Sequence, residues 1–215
     1  MSEATTTPPA PDMDTGPIDA GSKDGQKVPS PAEIAAGKEM RAASPYTFWE
    51  KIKRVIWDYF GQLIFKISFH DWYGFRNMLL RVFGAKIAKN VRIRPSVRVE
   101  QPWNLRIHEN ASVGDNVILY CLGEITIGPS VSISQYAHLC AGTHDHRRPD
   151  MPLVKLPITL EEDVWLAADV FIGPGVTVGK EAVVGARSSV YKDIEGGWVY
   201  AGNPARQMKR REYVK

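Results

Sequence analysis

The sequence predicts a mainly β protein, a parallel β-helix wound from six-residue units, and three observations carry that expectation. An aliphatic residue returns every sixth position over residues 160–195, at Leu160, Leu166, Ile172, Val178, Val184 and Val190. Four residues after each comes Val164, Val170, Val176, Ala182, Ser188 or Ile194. Glycine or alanine often follows the leading aliphatic, as in Leu166-Ala167, Ile172-Gly173, Val178-Gly179 and Val184-Gly185, where a corner has room for little or no side chain.

The same beat runs back through Ile87, Ile93 and Val99, then Ile107, Val113 and Leu119, then Ile127, Ile133 and Leu139, which makes about five triangular coils. Each hexad supplies one short strand, and stacked coils turn the inward side chains into ladders of like residues. Two-residue offsets before Ile107 and Ile127 read as corner bulges. Residues 145–159 are too long for a corner and are expected to leave the coil as a loop. The β-helix is expected over residues 85–205.

Ahead of it, residues 1–43 are rich in Pro, Thr, Ser and Asp and poor in large apolar residues, so they are expected to form a disordered tail. Their acidic, Pro-containing start lacks the basic residues and apolar stretch of a secretory signal, which points to a cytoplasmic protein. Residues 44–84 form a helical cap in this reading. Apolar residues recur at helical spacing over residues 47–69, with Lys51, Lys53, Arg54 and Asp58 among them, so an amphipathic helix is expected. A second helix over residues 72–83 stops at Gly84. Either the helices cover the open edge of the first coil, or the first lies on a membrane as a peripheral contact, with Trp and Lys side by side. No apolar run approaches the length of a membrane span. Net charge is +3, and between Ser44 and Arg92 nine Lys or Arg face three acids, which suits an acidic surface. No nucleic-acid partner is expected.

Cys121 and Cys140 fit neither a disulfide framework nor a zinc ribbon and read as buried fillers. Among the five histidines, His144 closes the hexad that begins at Leu139, at a corner where the chain leaves the repeat, with its side chain free to line a cleft. His138 belongs to an earlier face and is too distant to share a metal with it. His144 and His146 with Asp145 fall short of the three or four ligands zinc requires, so no metal is expected. Residues 206–215 read as a basic C-terminal tail holding Arg206, Lys209, Arg210 and Arg211. Such a tail is either a solvated end or a place to hold a phosphorylated cofactor.

The runs Ile133-Ser134-Gln135, Leu139-Cys140-Ala141-Gly142-Thr143-His144-Asp145, Val164-Trp165, Gly173-Pro174-Gly175-Val176 and Ala201-Gly202-Asn203-Pro204-Ala205 resemble the hexapeptide-repeat O-acetyltransferases. The likeness covers roughly residues 72–209 and is strongest to the colanic acid biosynthesis acetyltransferases, with maltose and galactoside acetyltransferases more distant. The resemblance implies a left-handed parallel β-helix, a homotrimer with the catalytic site between subunits, and acetyl-CoA lying along the coil edges. By position, His144 matches the catalytic histidine and Trp165 the aromatic beside the pantetheine arm. Ala168 and Ala186 match positions whose backbone amides meet the cofactor, and Lys192, Arg206 and Lys209 match basic positions near its phosphates. Relatives often carry Asp or Asn in the hexad before the catalytic coil, whereas this chain reads Leu119-Tyr120-Cys121-Leu122. Tyr120 can stack on or hydrogen-bond a saccharide but cannot replace a carboxylate. Tyr120 and Asp145 are the candidate substrate contacts.

The function implied is transfer of acetyl from acetyl-CoA to a saccharide hydroxyl, in exopolysaccharide or related glycan biosynthesis. A neutral imidazole at His144 takes the hydroxyl proton as the oxygen attacks the thioester. Direct transfer is expected, since no Ser or Cys is evidently paired with His144. Two other readings compete: a γ-type carbonic anhydrase, whose histidine spacing this chain lacks, and a non-catalytic trimeric scaffold docked on a membrane.

Overall fold

A computed structural model describes residues 44–213, and the tail expected over residues 1–43 lies outside the described residues. From residue 86 onward the chain winds into a three-sided parallel β-helix. The inward residues stack in three ladders. Ile87, Ile107, Ile127, Leu160 and Val178 line the first face. Ile93, Val113, Ile133, Leu166, Val184 and Tyr200 line the second. The third is Val99, Leu119, Leu139, Ile172 and Val190. Apart from Tyr200 these are the aliphatics of the six-residue period, and all are buried. The interior is a dry apolar column whose burial drives the winding.

Many of the corners are turned by a residue in the left-handed backbone region. Asn90, Asn110, Asn116, Asp163 and Asp169 hold φ between 57° and 61°, a conformation that short polar side chains tolerate. Ser130, Tyr136, Glu181 and Arg187 adopt it too. Small residues beside the leading aliphatic answer to a different demand. A Cβ at Gly128 would come within 2.7 Å of the Glu161 carbonyl carbon in the next coil.

The two sequence offsets resolve differently. Before Ile107 the chain makes a 3-10 turn, Pro102–Asn104. Before Ile127, Gly123 lies close under the returning chain at Leu156. The excursion expected over residues 145–159 starts earlier and is ordered. Gly142–His144 pairs antiparallel with Leu153–Lys155, and Ile158–Leu160 is already back in the first-face ladder. His144 therefore stands on a hairpin and not at a coil corner. The C-terminal segment is likewise no free tail, because Arg206–Arg210 returns as a strand antiparallel to Trp198–Ala201. It covers the end of the second face, whose backbone groups would otherwise be left open.

The opposite end is closed by helices: α1 (Phe48–Ile56), continued by a π turn at Trp57–Gly61 into α2 (Gln62–Ile67), and then α3 (Tyr73–Val82). Thr47 caps α1 in a reciprocal box with Glu50. Gly84, at φ +97°, ends the helical region. In each coil, amides donate to carbonyls of the next coil, as from Ala88 to Ile107, Arg92 to Ala111, Arg94 to Val113, Arg98 to Val117 and Glu100 to Leu119. The matching carbonyls of the first coil have no preceding coil to serve them. Helical side chains do so instead. Arg81 Nε donates to Ile87 O at 2.9 Å, Asn77 Nδ2 to Val91 O at 2.9 Å and Arg76 Nε to Ile93 O at 2.7 Å. Gln62 Nε2 donates to Val97 O at 3.1 Å and Trp57 Nε1 to Val99 O at 2.6 Å.

Trp57 is fully buried, so losing its N–H leaves an acceptor sealed from water. Trp57→Phe keeps most of the packing and removes that donor. It is expected to cost about 1–3 kcal/mol of unfolding free energy in a urea titration. An unchanged midpoint would show that the bond contributes nothing.

Candidate active site

The hairpin after Cys140 is built to hold one imidazole. His144 Nδ1 lies 2.7 Å from the carbonyl oxygen of Met151, across the antiparallel pair. A carbonyl only accepts, so Nδ1 carries the hydrogen and Nε2 presents its lone pair. The side chain is exposed. The turn behind it is closed by Met151 N to Arg148 O at 3.0 Å, Arg148 N to Asp145 O at 3.2 Å and Asp145 N to Pro152 O at 3.1 Å. Two bidentate ion pairs lock the tip. Arg148 Nε and Nη2 meet the two oxygens of buried Asp150 at 2.9 and 2.7 Å, and Arg147 meets those of Asp145 at 2.9 and 3.2 Å. The hydrogen bonds from Arg148 and Arg147 hold both carboxyls below the usual carboxylate range. Asp145, a candidate substrate contact, thus already has both oxygens engaged.

Tyr120 stands opposite Cys140 on the third face, one strand from the hairpin. Its ring meets His138 edge-on at 6.3 Å, and burial raises its hydroxyl pKa, so it remains a donor. Burial also lowers the pKa of His138, away from any charged role. Cys121 is fully buried and its thiol is pushed up to about 12, while Cys140 is half-buried and donates to Gly142 O. Lys192 is exposed at the same corner, between the third and first faces, where the chain leaves Ser189–Val190.

The other sequence-marked residues gather elsewhere. Ala168 and Ala186 turn the corner between the second and third faces and line one groove of about 350 Å³ with Tyr136, Asp169 and Arg187. Around them the amides of Ala167, Asp169, Gly185 and Arg187 are spent on Val184 O, Gln135 O, Tyr200 O and Ala168 O. The N–H groups of Ala168 and Ala186 have no acceptor among the described residues. Trp165 lies outward on the second face, its Nε1 donating to Ser134 Oγ at 3.1 Å. Arg206 pairs in register with Ala201, the neighbour of Gly185. Near the C-terminal end of the basic strand, Arg210 covers the Trp198 ring at 4.4 Å, and Arg211 just beyond it donates to Asp163 O at 2.7 Å. Arg206 and Lys209 are exposed and have no acidic partner among the described residues.

The chain therefore carries two half-sites: an oriented imidazole on the hairpin that leaves the coil between the third and first faces, and, between the second and third faces, a ledge with two unspent amides, Arg206 near it and Lys209 farther along the same strand. Met151, which orients His144, and Ser134, which holds Trp165, were not marked in the sequence. The hairpin breaks the period between residues 134 and 165, and backbone acceptors leave no trace in residue type. Among the described residues, no three His, Cys, Asp or Glu are grouped to hold a metal ion.

No protein-family model matches the chain. It is 49% identical over 160 residues, 74% of its length and 88% of the relative's, to the "Putative colanic acid biosynthesis acetyltransferase" of Escherichia coli K12. A maltose O-acetyltransferase structure from Clostridium difficile 630 superposes with a TM-score of 0.70 at 26% identity, over 78% of this chain and 90% of that one. A galactoside acetyltransferase solved with coenzyme A superposes with a TM-score of 0.64 at 25% identity, over 88% and 97%. Fold and likeness together define an acetyltransferase built on a parallel β-helix. The chain belongs to the hexapeptide-repeat acetyltransferase family, on its colanic acid biosynthesis branch.

The Arg148–Asp150 pair orders the hairpin without supporting the coil core. Asp150→Asn is expected to speed protease cleavage within residues 145–151 at neutral pH and leave the global unfolding midpoint unchanged. The depressed carboxyl keeps the pair ionised until pH falls below the ordinary carboxylate pKa. Wild-type hairpin protection should therefore hold from pH 7 to about 5 and fail only below about 4.

Proposed function

We propose that this acetyltransferase moves acetyl from acetyl-CoA to a hydroxyl of a saccharide, in a precursor of an exopolysaccharide such as colanic acid. The relative named for colanic acid biosynthesis and the neighbour solved with coenzyme A support the two substrates. The observation that carries the chemistry is the His144 Nδ1 contact with Met151 O, because it leaves Nε2 as a base. Nε2 takes the acceptor's hydroxyl proton while that oxygen attacks the thioester carbonyl carbon. The tetrahedral oxyanion then collapses, the C–S bond breaks, and the proton on Nε2 passes to the departing thiolate. Tyr120, one strand away, offers a donor and a ring face to the sugar.

Acetyl-CoA suits the second half-site. Its pantetheine amides are acceptors for the Ala168 and Ala186 N–H groups, Trp165 flanks the arm, and Arg206 with Lys209 meets the phosphates. Lys192 sits at the corner from which the His144 hairpin departs and would meet phosphate only from a neighbouring subunit. The separation of base and ledge on different corners supports a homotrimer in which one subunit's hairpin meets the next subunit's ledge. The enzyme would act in the cytoplasm, in peripheral contact with the inner membrane through residues 47–69.

His144→Ala is expected to lower turnover by about 10²–10⁴-fold while calorimetry still shows acetyl-CoA binding. Near-normal turnover by that variant removes the base from the mechanism. Arg206→Ala should weaken acetyl-CoA binding by roughly tenfold, a loss of one charge-assisted contact. Mixing and re-annealing the two variants should restore about one quarter of wild-type sites if each site draws on two subunits. No recovery from verified mixed trimers would place both halves in one chain.

A further inference from the structure

From α1 to α2 the cap buries only Trp57, Gly61 and Phe65, and most of its apolar residues lie outside. The polar edge of the helical run, with Arg54 on Glu100 at 3.3 Å, Gln62 on the Val97 carbonyl and the Val99 amide, and the indole N–H of Trp57, faces the β-helix. The apolar stripe faces away. Phe48, Trp49, Tyr59, Phe60, Ile67 and Phe69 are 64–75% exposed, and Val55, Ile56, Leu63, Ile64 and Trp72 extend the same surface. In an ordinary surface helix the stripe would be buried against the core. Here the five edge carbonyls claim the polar side chains, and nothing within the described chain covers the other side.

We infer that this face docks on an anionic lipid surface, with α1 and α2 lying in the interface. The inference deepens the peripheral contact proposed above and is independent of the His144 chemistry. Three observations select lipid. The surface is rich in Trp, Tyr and Phe, the residues suited to the boundary between headgroup and acyl chain. No described helix is long and apolar enough to cross a membrane, so the stripe meets a bilayer from one side. Charge selects its sign. Residues 72–99, which form α3 and the first coil beneath it, hold seven Lys or Arg and no Asp or Glu. Arg81, Lys86, Lys89 and Arg92 of this set are exposed. Pairing this end of the molecule with the same end of a second copy would set those cations against themselves, whereas an anionic bilayer offers each a counter-charge.

The test is co-sedimentation of the full chain with vesicles of phosphatidylcholine alone and of phosphatidylcholine with about 30% phosphatidylglycerol. The protein is expected to pellet with the anionic vesicles and to dissociate as salt rises. A Phe60→Glu/Leu63→Glu variant should lose at least roughly tenfold in partitioning. Lys86→Glu/Lys89→Glu, which leaves the stripe intact, should lose the preference for anionic over neutral vesicles. Both variants should bind acetyl-CoA as the wild type does, which separates this outcome from failure of the catalytic reading. The proposal is overturned if the full chain ignores anionic vesicles. It is equally overturned if Phe60→Glu/Leu63→Glu binds as well as wild type, or if that variant shifts the molecular mass in solution, which would mean that a second copy covers the stripe.

Discussion

A parallel β-helix has two open ends, and the carbonyls of its first coil are the constraint on which the rest of this structure depends. Each unserved backbone acceptor costs about as much as a lost hydrogen bond once water is excluded. Here Ile87, Val91, Ile93, Val97 and Val99 present five such oxygens along one edge. Backbone from a further strand would serve them and invite a second chain. The chain instead spends five side chains from three helical segments: Arg81, Asn77, Arg76, Gln62 and Trp57. Arg76 also ties Ser68, Phe69 and His70 into the same junction. The orientation of the cap, and with it the outward apolar stripe, results from that use of its polar residues.

The ledge combines unspent amides with small side chains and a nearby cation. An amide between two committed ones is left over at several corners, Gln135 and Glu162 included. At the corner shared by Ala168 and Ala186 the flanking amides are committed and those two are not. Small side chains keep the approach open, and the C-terminal strand brings Arg206 alongside. The hairpin solves a different problem. The antiparallel turn brings Met151 O to 2.7 Å from His144 Nδ1, two residues before the Leu153 that pairs with His144. Leaving the repeat brings that carbonyl to the ring.

Much of the coil was legible because burial imposes its period on residue type. Leu160, Leu166, Ile172, Val178, Val184 and Val190 each face the same apolar column. His144, Trp165, Ala168, Ala186 and Arg206 were marked by resemblance and by position in the repeat, without any indication of which of them meet. The strand at Arg206–Arg210 was hidden because its residues are basic and exposed, so no apolar alternation announces it. The hairpin was hidden because its register is set by pairing across a turn, from Gly142–His144 to Leu153–Lys155.

The amino-acid sequence by itself determined the period and pitch of the coils, the existence of two helical elements ahead of them, and the point at which the repeat is interrupted. All of these are local consequences of which residues must leave water. Tertiary structure decided which side of the cap helices faces in, because an amphipathic pattern defines two faces and says nothing about an edge of unpaired carbonyls. It also decided the tautomer of His144 and the freedom of the Ala168 and Ala186 amides. Both depend on where distant backbone atoms come to lie, and backbone atoms are the same in every residue.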